Sequence, residues 1–342
     1  MSWEVLLLFF GEIMEKIKNK RVGLSRNQNR LIFYSIMLIW PVIQVTLFYF
    51  VVNFNAITLA FQKMTPIVNG VGYDITFDSS FATFKKAWNM LIVNQMGKIG
   101  NGVKFYCIDF PVSLVLALSF SFYIYKKYPG AGVFKTMLFM PTIISGLVFC
   151  ILFKYISSYG YNEVVCLIKG IPITKEELAQ PGLLVRPDTG FPTLVFYNIW
   201  ISFGSNILLY SGAMSGIDES VVESAQLDGN NLIQEAIHIT LPLIFPTIIS
   251  LTVTTLTGIF TNSMGLVSLY GESVPGEVAK TCETIGYRMY LYSRLIGDLN
   301  DQQWVQYTAS ELSAYGLLVS AVLIPAVLTV RHVMKKYGPS ID

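Results

Sequence analysis

Long apolar stretches alternate with polar connections along most of this chain. A helix that crosses about 30 Å of hydrocarbon needs about 20 mostly apolar residues, because lipid offers no hydrogen-bond partner to an exposed backbone. Six stretches meet this requirement, at residues 31–53, 104–125, 133–155, 192–217, 241–263 and 312–330. The pattern therefore predicts an all-α, polytopic membrane protein with six transmembrane helices.

The pattern also divides the chain into three parts. Residues 1–30 begin with an apolar run that is too short to cross a bilayer, with no basic residue before it and no small-residue cleavage site after it. We expect an amphipathic helix lying on the cytoplasmic membrane surface, with Trp3 at headgroup level. Residues 31–335 form the six-span domain, and residues 336–342 form a cytoplasmic tail.

The lysines and arginines orient these spans. They concentrate before the first predicted span, between the second and third spans, and after the sixth. These residues are Lys16, Lys18, Lys20, Arg21, Arg26 and Arg30, then Lys126, Lys127 and Lys135, then Arg331, Lys335 and Lys336. Six spans place all three groups on one side, so the positive-inside rule predicts that both termini are cytoplasmic. We expect a multi-pass protein of a prokaryotic plasma membrane.

Composition agrees with a membrane protein and excludes some functions. The 342 residues are 53% hydrophobic and only 13% charged, too few charges to cover a water-facing surface. The net charge of +2 argues against nucleic acid as a partner. The four cysteines show no metal-binding spacing. Cys166 and Cys282 fall in polar connections, and whether they pair stays open.

Three connections on the predicted outer side are long, at residues 54–101, 156–191 and 264–311. They mix glycine, proline, charged and aromatic residues, which is typical of structured caps rather than of disordered linkers. Such caps can simply close the outer face of the membrane domain, or they can form a docking platform for an external partner. The residues alone favour neither alternative.

The connection between the fourth and fifth predicted spans is cytoplasmic but acidic. Its polar part is rich in helix formers, with Asp218 as a candidate N-cap. Gly229 interrupts this pattern, and a glycine there indicates a turn. The sequence therefore predicts two short helices with a bend between them, and Pro242 restarts the transmembrane helix.

Within this connection a spaced motif resembles the coupling motif of binding-protein-dependent ABC importer permeases. That motif is Glu-Ala-Ala, three residues, Gly, nine residues, Ile-x-Leu-Pro. Its positions here are Glu223, Ser224, Ala225, Gly229, Ile239, Leu241 and Pro242, with Asp228 before the glycine and Ser224 as the one departure. Residues 137–145 (MLFMPTIIS) and 160–162 (GYN) are similar to the carbohydrate-uptake branch, which includes the maltose and multiple-sugar permeases. The alternative is an ordinary cytoplasmic helical hairpin.

This resemblance implies a transport mechanism. The loop resembles a coupling helix that sits in a cleft of a cytoplasmic ABC ATPase dimer, with small residues allowing close approach and Glu223 offering a charge. The chain itself is then not an enzyme and binds no cofactor, since ATP and Mg²⁺ belong to the ATPase. The other implied partners are a second permease subunit, usually making a heterodimer, an extracytoplasmic solute-binding protein and membrane lipid.

Uncharged polar side chains lie largely on one face of the fourth predicted span, and on or beside one face of the fifth. They are Asn198, Ser202, Ser205, Asn206 and Tyr210 in the fourth span, and Thr255, Thr261 and Asn262 in the fifth. Neither span contains a charged residue. Hydroxyls and amides suit a neutral, hydroxyl-rich ligand such as a sugar. The alternative is that they hold neighbouring helices together.

An enzyme and an ion-coupled secondary transporter are the alternatives to an ABC permease. An enzyme lacks support because the two histidines, His238 and His332, lie near the predicted cytoplasmic surface and no catalytic motif is present. An ion-coupled secondary transporter of a neutral solute needs ionisable groups within its spans. Asp109 is the one candidate, and we expect it to pair with Lys104 near the membrane interface. No phosphate-binding loop for ATP is present, so the energy must come from another subunit.

Overall fold

The computed structural model describes residues 26–66, 73–78, 80–92, 95–295 and 308–339, which form parts of two compact units, residues 1–58 and 59–342. Most of the predicted surface helix at residues 1–30 lies outside the described residues. So do residues 340–342 of the predicted tail.

The first apolar stretch is helical along its whole length. Helix α1 (Arg26–Gln44) continues through a π-helical segment (Val45–Val51) into α2 (Val52–Ala60). Residues Arg30–Ala60 are long and apolar enough to cross a membrane. The Thr46 hydroxyl donates to the carbonyl of Val42 within the helix, so this polar side chain needs no outside partner.

A hairpin and a helix follow in the first outer connection. Strands β1 (Gln62–Pro66) and β2 (Tyr73–Phe77) pair antiparallel, with Met64 opposite Ile75. Helix α3 (Ala82–Ile92) comes next.

Helix α4 (Met96–Tyr125) is the second membrane-length helix, and a broken helix follows it. The elements after α4 are α5 (Ala131–Ile143), α6 (Gly146–Tyr155), a π-helical segment (Ile156–Gly160), α7 (Tyr161–Lys169) and α8 (Lys175–Leu178). The chain bends by 100° between Ile143 and Gly146. Pro141 lies just before the break, as expected of a residue that removes a helical hydrogen bond.

Helix α9 (Gly190–Met214) is the centre of the second unit and packs against both α4 and α5. Gly204 allows the close approach to α5, because a Cβ atom there would lie 2.5 Å from the carbonyl oxygen of Leu138. Ser121 of α4 donates to the carbonyl of Ile207, which joins α4 and α9 by a buried hydrogen bond.

The remaining elements form the loop after α9, the fifth apolar segment, the last outer connection and the final helix. They are α10 (Glu219–Leu227), α11 (Leu232–Glu235), a π-helical segment (Ala236–Thr240), α12 (Leu241–Leu243), α13 (Phe245–Thr257), α14 (Leu266–Tyr270), α15 (Gly276–Cys282), α16 (Ile285–Leu295) and α17 (Ala309–Tyr337). Helix α17 packs against α3 and α13.

Among the described residues, three single helices are long and apolar enough to cross a membrane, and the number rises to five if each of two bent pairs is one span. The second bent pair joins Leu232–Leu243 to Phe245–Thr257 at 69°. Helix α9 is not among these candidates, although it has 25 residues. Its amides, Asn198 and Asn206, lower its hydropathy. The structure is a helical membrane protein, and six spans stay a prediction.

The described parts of the three connections predicted to lie outside contain helices and a strand hairpin, as expected of structured caps. Their largest hydrophobic cluster joins α6 and α9 to α14–α16, with Phe149, Tyr197, Leu266 and Tyr287 buried in it. Ion pairs also fasten these connections: Lys86 of α3 binds Glu311 of α17 at 2.9 Å. The buried Glu283 accepts from Lys98 of α4 and Arg288 of α16, at 3.1 and 2.7 Å.

Two side-chain pairs considered in the sequence are not formed in the structure. Lys104 does not pair with Asp109, because its ammonium group lies 4.4 Å from the centre of the Phe191 ring. One carboxylate oxygen of Asp109 is buried without a hydrogen-bond partner among the described residues. The prediction of a Lys104–Asp109 ion pair is therefore wrong. Cys166 and Cys282 are both buried and unpaired.

Candidate functional site

The loop between α9 and α13 begins with a well-capped helix. The Asp218 carboxylate accepts hydrogen bonds from the backbone N–H and the hydroxyl of Ser220, at 3.0 and 2.9 Å. These bonds hold the pKa of Asp218 below its ordinary value. A charged N-cap stabilises α10 through its unpaired N–H groups and the helix dipole. The predicted N-cap is confirmed.

Helix α10 has one buried and one exposed face. Val222 and Ala225, three residues apart, are buried, whereas Glu223 and Ser224 are exposed. The Ser224 hydroxyl donates to the carbonyl of Ser220 within the helix. The structure thus gives Ala225 a different role from the one expected. Ala225 packs inside the chain, and Glu223 and Ser224 form the exposed face.

Gly229 makes the turn that ends α10. Its φ of +78° is a conformation that other residues rarely adopt. The N–H of Asn230 donates to the carbonyl of Ala225 at 3.1 Å, which closes the turn. A Cβ atom at Gly229 would meet nothing within 4 Å, so this position needs glycine for its backbone and faces open space. The predicted pair of short helices with a bend is confirmed.

The second half of the loop is tied to the end of α4. The N–H of Asn231 donates to the Gln234 side chain at 2.9 Å, which starts α11. Glu235, at the end of α11, is only 1% exposed and forms an ion pair with Lys126, whose side chain is 13% exposed. Lys126 is the residue that caps α4. The loop and α4 are therefore joined by a largely buried pair of opposite charges.

The rest of the motif leads into the fifth apolar segment. Ile239, Leu241 and Pro242 are half-buried, and Leu241 packs against a cluster that contains Tyr210 and Ile248. The chain then bends by 69° before Phe245. Pro242 therefore lies in a short helix, α12, and the membrane-directed helix α13 begins only after the bend.

Exposed apolar residues flank the Gly229 turn. Leu227 is 88% exposed and Ile233 is 67% exposed, and the acidic Glu223 and Asp228 are exposed near them. Leu227, Ile233, Glu223, Ser224, Asp228 and Gly229 are called the loop surface below. Large exposed apolar side chains at a turn are typical of a binding surface. Leu227 and Ile233 are not among the residues predicted from the sequence, although leucine and isoleucine in an otherwise polar loop were the available signal.

The polar residues of α9 fall into three groups. The Asn198 amide donates to the carbonyls of Leu194 and Met264, both at 2.8 Å, and so joins α9 to the segment after α13. The Ser202 hydroxyl donates to the carbonyl of Asn198, and Tyr210 is buried among apolar side chains. Ser205 and Asn206 are half-buried, and no hydrogen bond of either side chain is found in the described part of the chain.

The polar residues of the fifth segment are exposed. The Thr255 hydroxyl donates to Leu251, and the Thr261 hydroxyl donates to Thr257. The Asn262 side chain accepts from the N–H of Met264 at 2.9 Å and leaves its amide N–H groups free among the described residues. These side chains can still offer polar groups to a neighbouring chain or a ligand.

The described residues contain no group of three or more His, Cys, Asp or Glu side chains that could hold a metal ion.

The family is identified by its profile. The profile described as "Binding-protein-dependent transport system inner membrane component" matches residues 110–338, which is more than half of the chain and includes the whole loop. The chain belongs to this family of transporter membrane subunits.

Individual relatives have low sequence identity to this chain, but their matches cover most of it. "Probable ABC transporter permease protein YesP" of Bacillus subtilis is 23% identical over 291 residues, which cover 82% of this chain and 86% of YesP. "Lactose transport system permease protein LacF" of Rhizobium radiobacter is 27% identical over 232 residues, which cover 66% of this chain and 73% of LacF.

Solved structures share the fold. A chain of a bacterial ABC transporter involved in the import of the acidic polysaccharide alginate superposes with a TM-score of 0.67 at 19% identity. The match covers 91% of this chain and 98% of that chain. A bacterial alginate ABC transporter in complex with an alginate pentasaccharide-bound periplasmic protein gives a TM-score of 0.64 at 20% identity, covering 92% and 97%.

Proposed function

We propose that this chain is a permease subunit of an ABC importer that moves a sugar or oligosaccharide across the membrane by alternating access. A separate ATPase supplies the energy. The observation that carries the proposal is the loop surface, which presents exposed apolar and acidic side chains on a capped, two-helix loop. This loop lies between two helices that carry polar residues.

The loop surface suits a cleft on an ATPase. Burying Leu227 and Ile233 removes two large apolar side chains from water, and Glu223 and Asp228 fit a basic rim. The Lys126–Glu235 ion pair then carries a movement of the loop to α4, while Leu241 and Pro242 carry it to α13. Two helices can in this way respond to one docking event.

A neutral, hydroxyl-rich substrate agrees with the uncharged polar groups and with the sugar that one relative's name gives. The name of LacF refers to lactose, a neutral sugar, whereas the alginate of the structurally similar transporter is an acidic polysaccharide. Ser205, Asn206 and Asn262 still have hydrogen-bonding capacity, and amides and hydroxyls are suitable partners for sugar hydroxyls. Asn198 and Tyr210 contribute by holding α9 in place.

The working assembly contains more than this chain. We expect a cytoplasmic ATPase dimer on the loop surface, a second permease subunit beside this chain and a solute-binding protein on the outer connections. Both termini are then cytoplasmic, and six spans cross the plasma membrane of a prokaryote. A periplasmic binding protein complexed with a structurally similar transporter supports the outer partner.

Co-purification tests this proposal. The tagged chain is extracted in a mild detergent, and mass spectrometry identifies the proteins that remain bound. We expect an ATPase with a phosphate-binding loop and a second permease, both in stoichiometric amounts. A Leu227→Asp, Ile233→Asp double variant should lose the ATPase and keep the second permease. A stable oligomer of this chain that lacks an ATPase at normal expression contradicts the proposal.

A further inference from the structure

A second candidate binding site lies away from the loop surface, between α13 and α17. A cavity of about 600 Å³ opens there, lined on one side by α13 and on the other by the end of α17. The α13 wall is mainly apolar, with Phe245, Ile249 and Val253, whereas α17 supplies Arg331 and Lys335. An apolar wall with two cations on the facing helix has the polarity of a phospholipid.

The two cations share a face of α17 and are not neutralised by this chain. Arg331 and Lys335 are four residues apart, so both side chains project from the same side of the helix. Both are exposed, and no carboxylate among the described residues forms an ion pair with either. A guanidinium and an ammonium at this distance can bind one phosphate together.

The place of the groove along the helices supports a lipid. Phe245 is the first residue of α13, directly after the bend that ends the loop, and Arg331 and Lys335 lie in the last turns of α17. Under the orientation given in the proposed function, on which this inference rests, both ends reach the cytoplasmic membrane interface. Basic pockets between helices at that interface are suited to anionic lipid headgroups.

We propose that this groove binds an anionic phospholipid. The phosphate contacts Arg331 and Lys335, and an acyl chain lies against Phe245, Ile249 and Val253. The two cations repel the amine of a zwitterionic headgroup, which gives the site its preference for a net negative lipid. A bound lipid would add to the direct packing of α13 against α17.

Lipid retention tests the site directly. The permease complex is purified with its partners, stripped of lipid by detergent exchange and mixed with phosphatidylglycerol or phosphatidylcholine. Native mass spectrometry then counts the lipids that remain bound. We expect phosphatidylglycerol to be retained at least tenfold better than phosphatidylcholine. The Arg331→Gln, Lys335→Gln variant should lose about 30-fold in phosphatidylglycerol retention, as expected for two cations at a membrane surface.

A matched pair of cations provides the control. Lys127 and Lys135 are exposed on the same predicted side of the membrane but lie outside the groove. Lys127→Gln, Lys135→Gln should therefore retain phosphatidylglycerol like the wild type. Equal loss in both double variants, or equal retention of the two lipids, overturns the proposal. So does displacement of the lipid by millimolar inorganic phosphate, which would mark a site for a free anion.

A protein occupant gives a different result. If an acidic partner protein fills the groove, the Arg331→Gln, Lys335→Gln variant releases a subunit and its lipid count does not change. That outcome also overturns the proposal. The measurement needs neither ATP nor sugar, so it can be read even if the transport function is wrong. A failure of the transport function would appear instead as an absent ATPase in the same spectra.

Discussion

Lys126 at the end of α4 and Glu235 in the loop after α9 form an ion pair between segments more than a hundred residues apart in sequence. Glu235 is almost completely buried, and Lys126 also lies near the rings of Phe122 and Tyr125. Buried opposite charges of this kind fix relative position more than they add stability. This pair joins the loop to the end of α4.

Removing one partner should be costly, because it leaves the other charge buried without compensation. We expect Glu235→Ala to lower the free energy of unfolding by about 3–5 kcal/mol. The measurement is thermal unfolding of the purified protein in detergent. In the variants that still fold, ATP hydrolysis should continue while sugar uptake falls.

The exposed pair Lys280–Glu277 is the control. Its side chains are 71% and 69% exposed, so Glu277→Ala should cost less than about 1 kcal/mol. The charge swap Lys126→Glu, Glu235→Lys should recover at least half of the lost stability. If Glu235→Ala costs no more than Glu277→Ala, the pair does not position the loop.

The sequence predicted the helices well, because span length and loop polarity are properties of local composition. The capping role of Asp218 and the turn at Gly229 were predictable because both also depend on local sequence. The breaks after Ile143 and before Phe245 were harder to predict, since proline is tolerated inside membrane helices and marks a bend only when the packing around it requires one.

Contacts between distant segments could not be predicted in this way. The Lys126–Glu235 pair depends on how the loop folds back onto α4, and no spacing in the sequence encodes that contact. Lys104 was expected to form an ion pair with Asp109 because the two are five residues apart. Its ammonium group contacts the Phe191 ring of α9 instead. The polar stripe was visible in the sequence, whereas the use of the Asn198 amide in holding α9 required the structure.

The turn at Gly229 gives a second prediction. An alanine there must adopt a positive φ, which costs about 1–2 kcal/mol, but its Cβ meets no other atom. We expect Gly229→Ala to fold and to retain part of its transport activity. Gly229→Asp should insert normally into the membrane but abolish uptake, because its side chain would project from the turn into the space that the docked ATPase must occupy.

The matched control for Gly229 is Gly212 in α9. It has no positive φ, and a Cβ atom there would also meet nothing within 4 Å. Gly212→Ala should therefore leave uptake unchanged. Uptake and membrane insertion are measured side by side in cells. Normal uptake by Gly229→Asp at normal protein level would remove the loop surface as the ATPase contact.

Acid should weaken the first outer connection through Asp78. Hydrogen bonds from the Thr83 N–H and from Ser80 hold the pKa of this carboxyl well below its ordinary value of 3.8. The unfolded chain therefore takes up the proton first as pH falls. The stabilisation is complete above about pH 4–5 and is lost as pH falls through the folded pKa.

The variant Asp78→Ala isolates this effect. At pH 7 we expect this variant to lower the free energy of unfolding by about 1–2 kcal/mol, the range for a lost helix cap. The difference in unfolding free energy between variant and wild type should narrow below pH 4. Thermal unfolding between pH 3 and pH 8 measures it. The exposed Asp74, whose side chain caps no helix in the described structure, is the control. A difference that stays constant down to pH 3 contradicts the assignment.

The polar residues of α9 and of the fifth apolar segment should separate into positioning and substrate-contacting groups. Asn198→Ala removes hydrogen bonds to Leu194 and Met264, so we expect about 1–2 kcal/mol of lost stability. Asn206 has no such bonds among the described residues, and Asn206→Ala should leave stability unchanged. If its amide contacts the sugar, uptake should fall about tenfold, the usual effect of one lost hydrogen bond.

Asn262→Ala should weaken uptake with the ATPase still bound. Uptake at several sugar concentrations and thermal unfolding distinguish the two roles, and wild-type uptake by both Asn206→Ala and Asn262→Ala would mean that the stripe only joins helices.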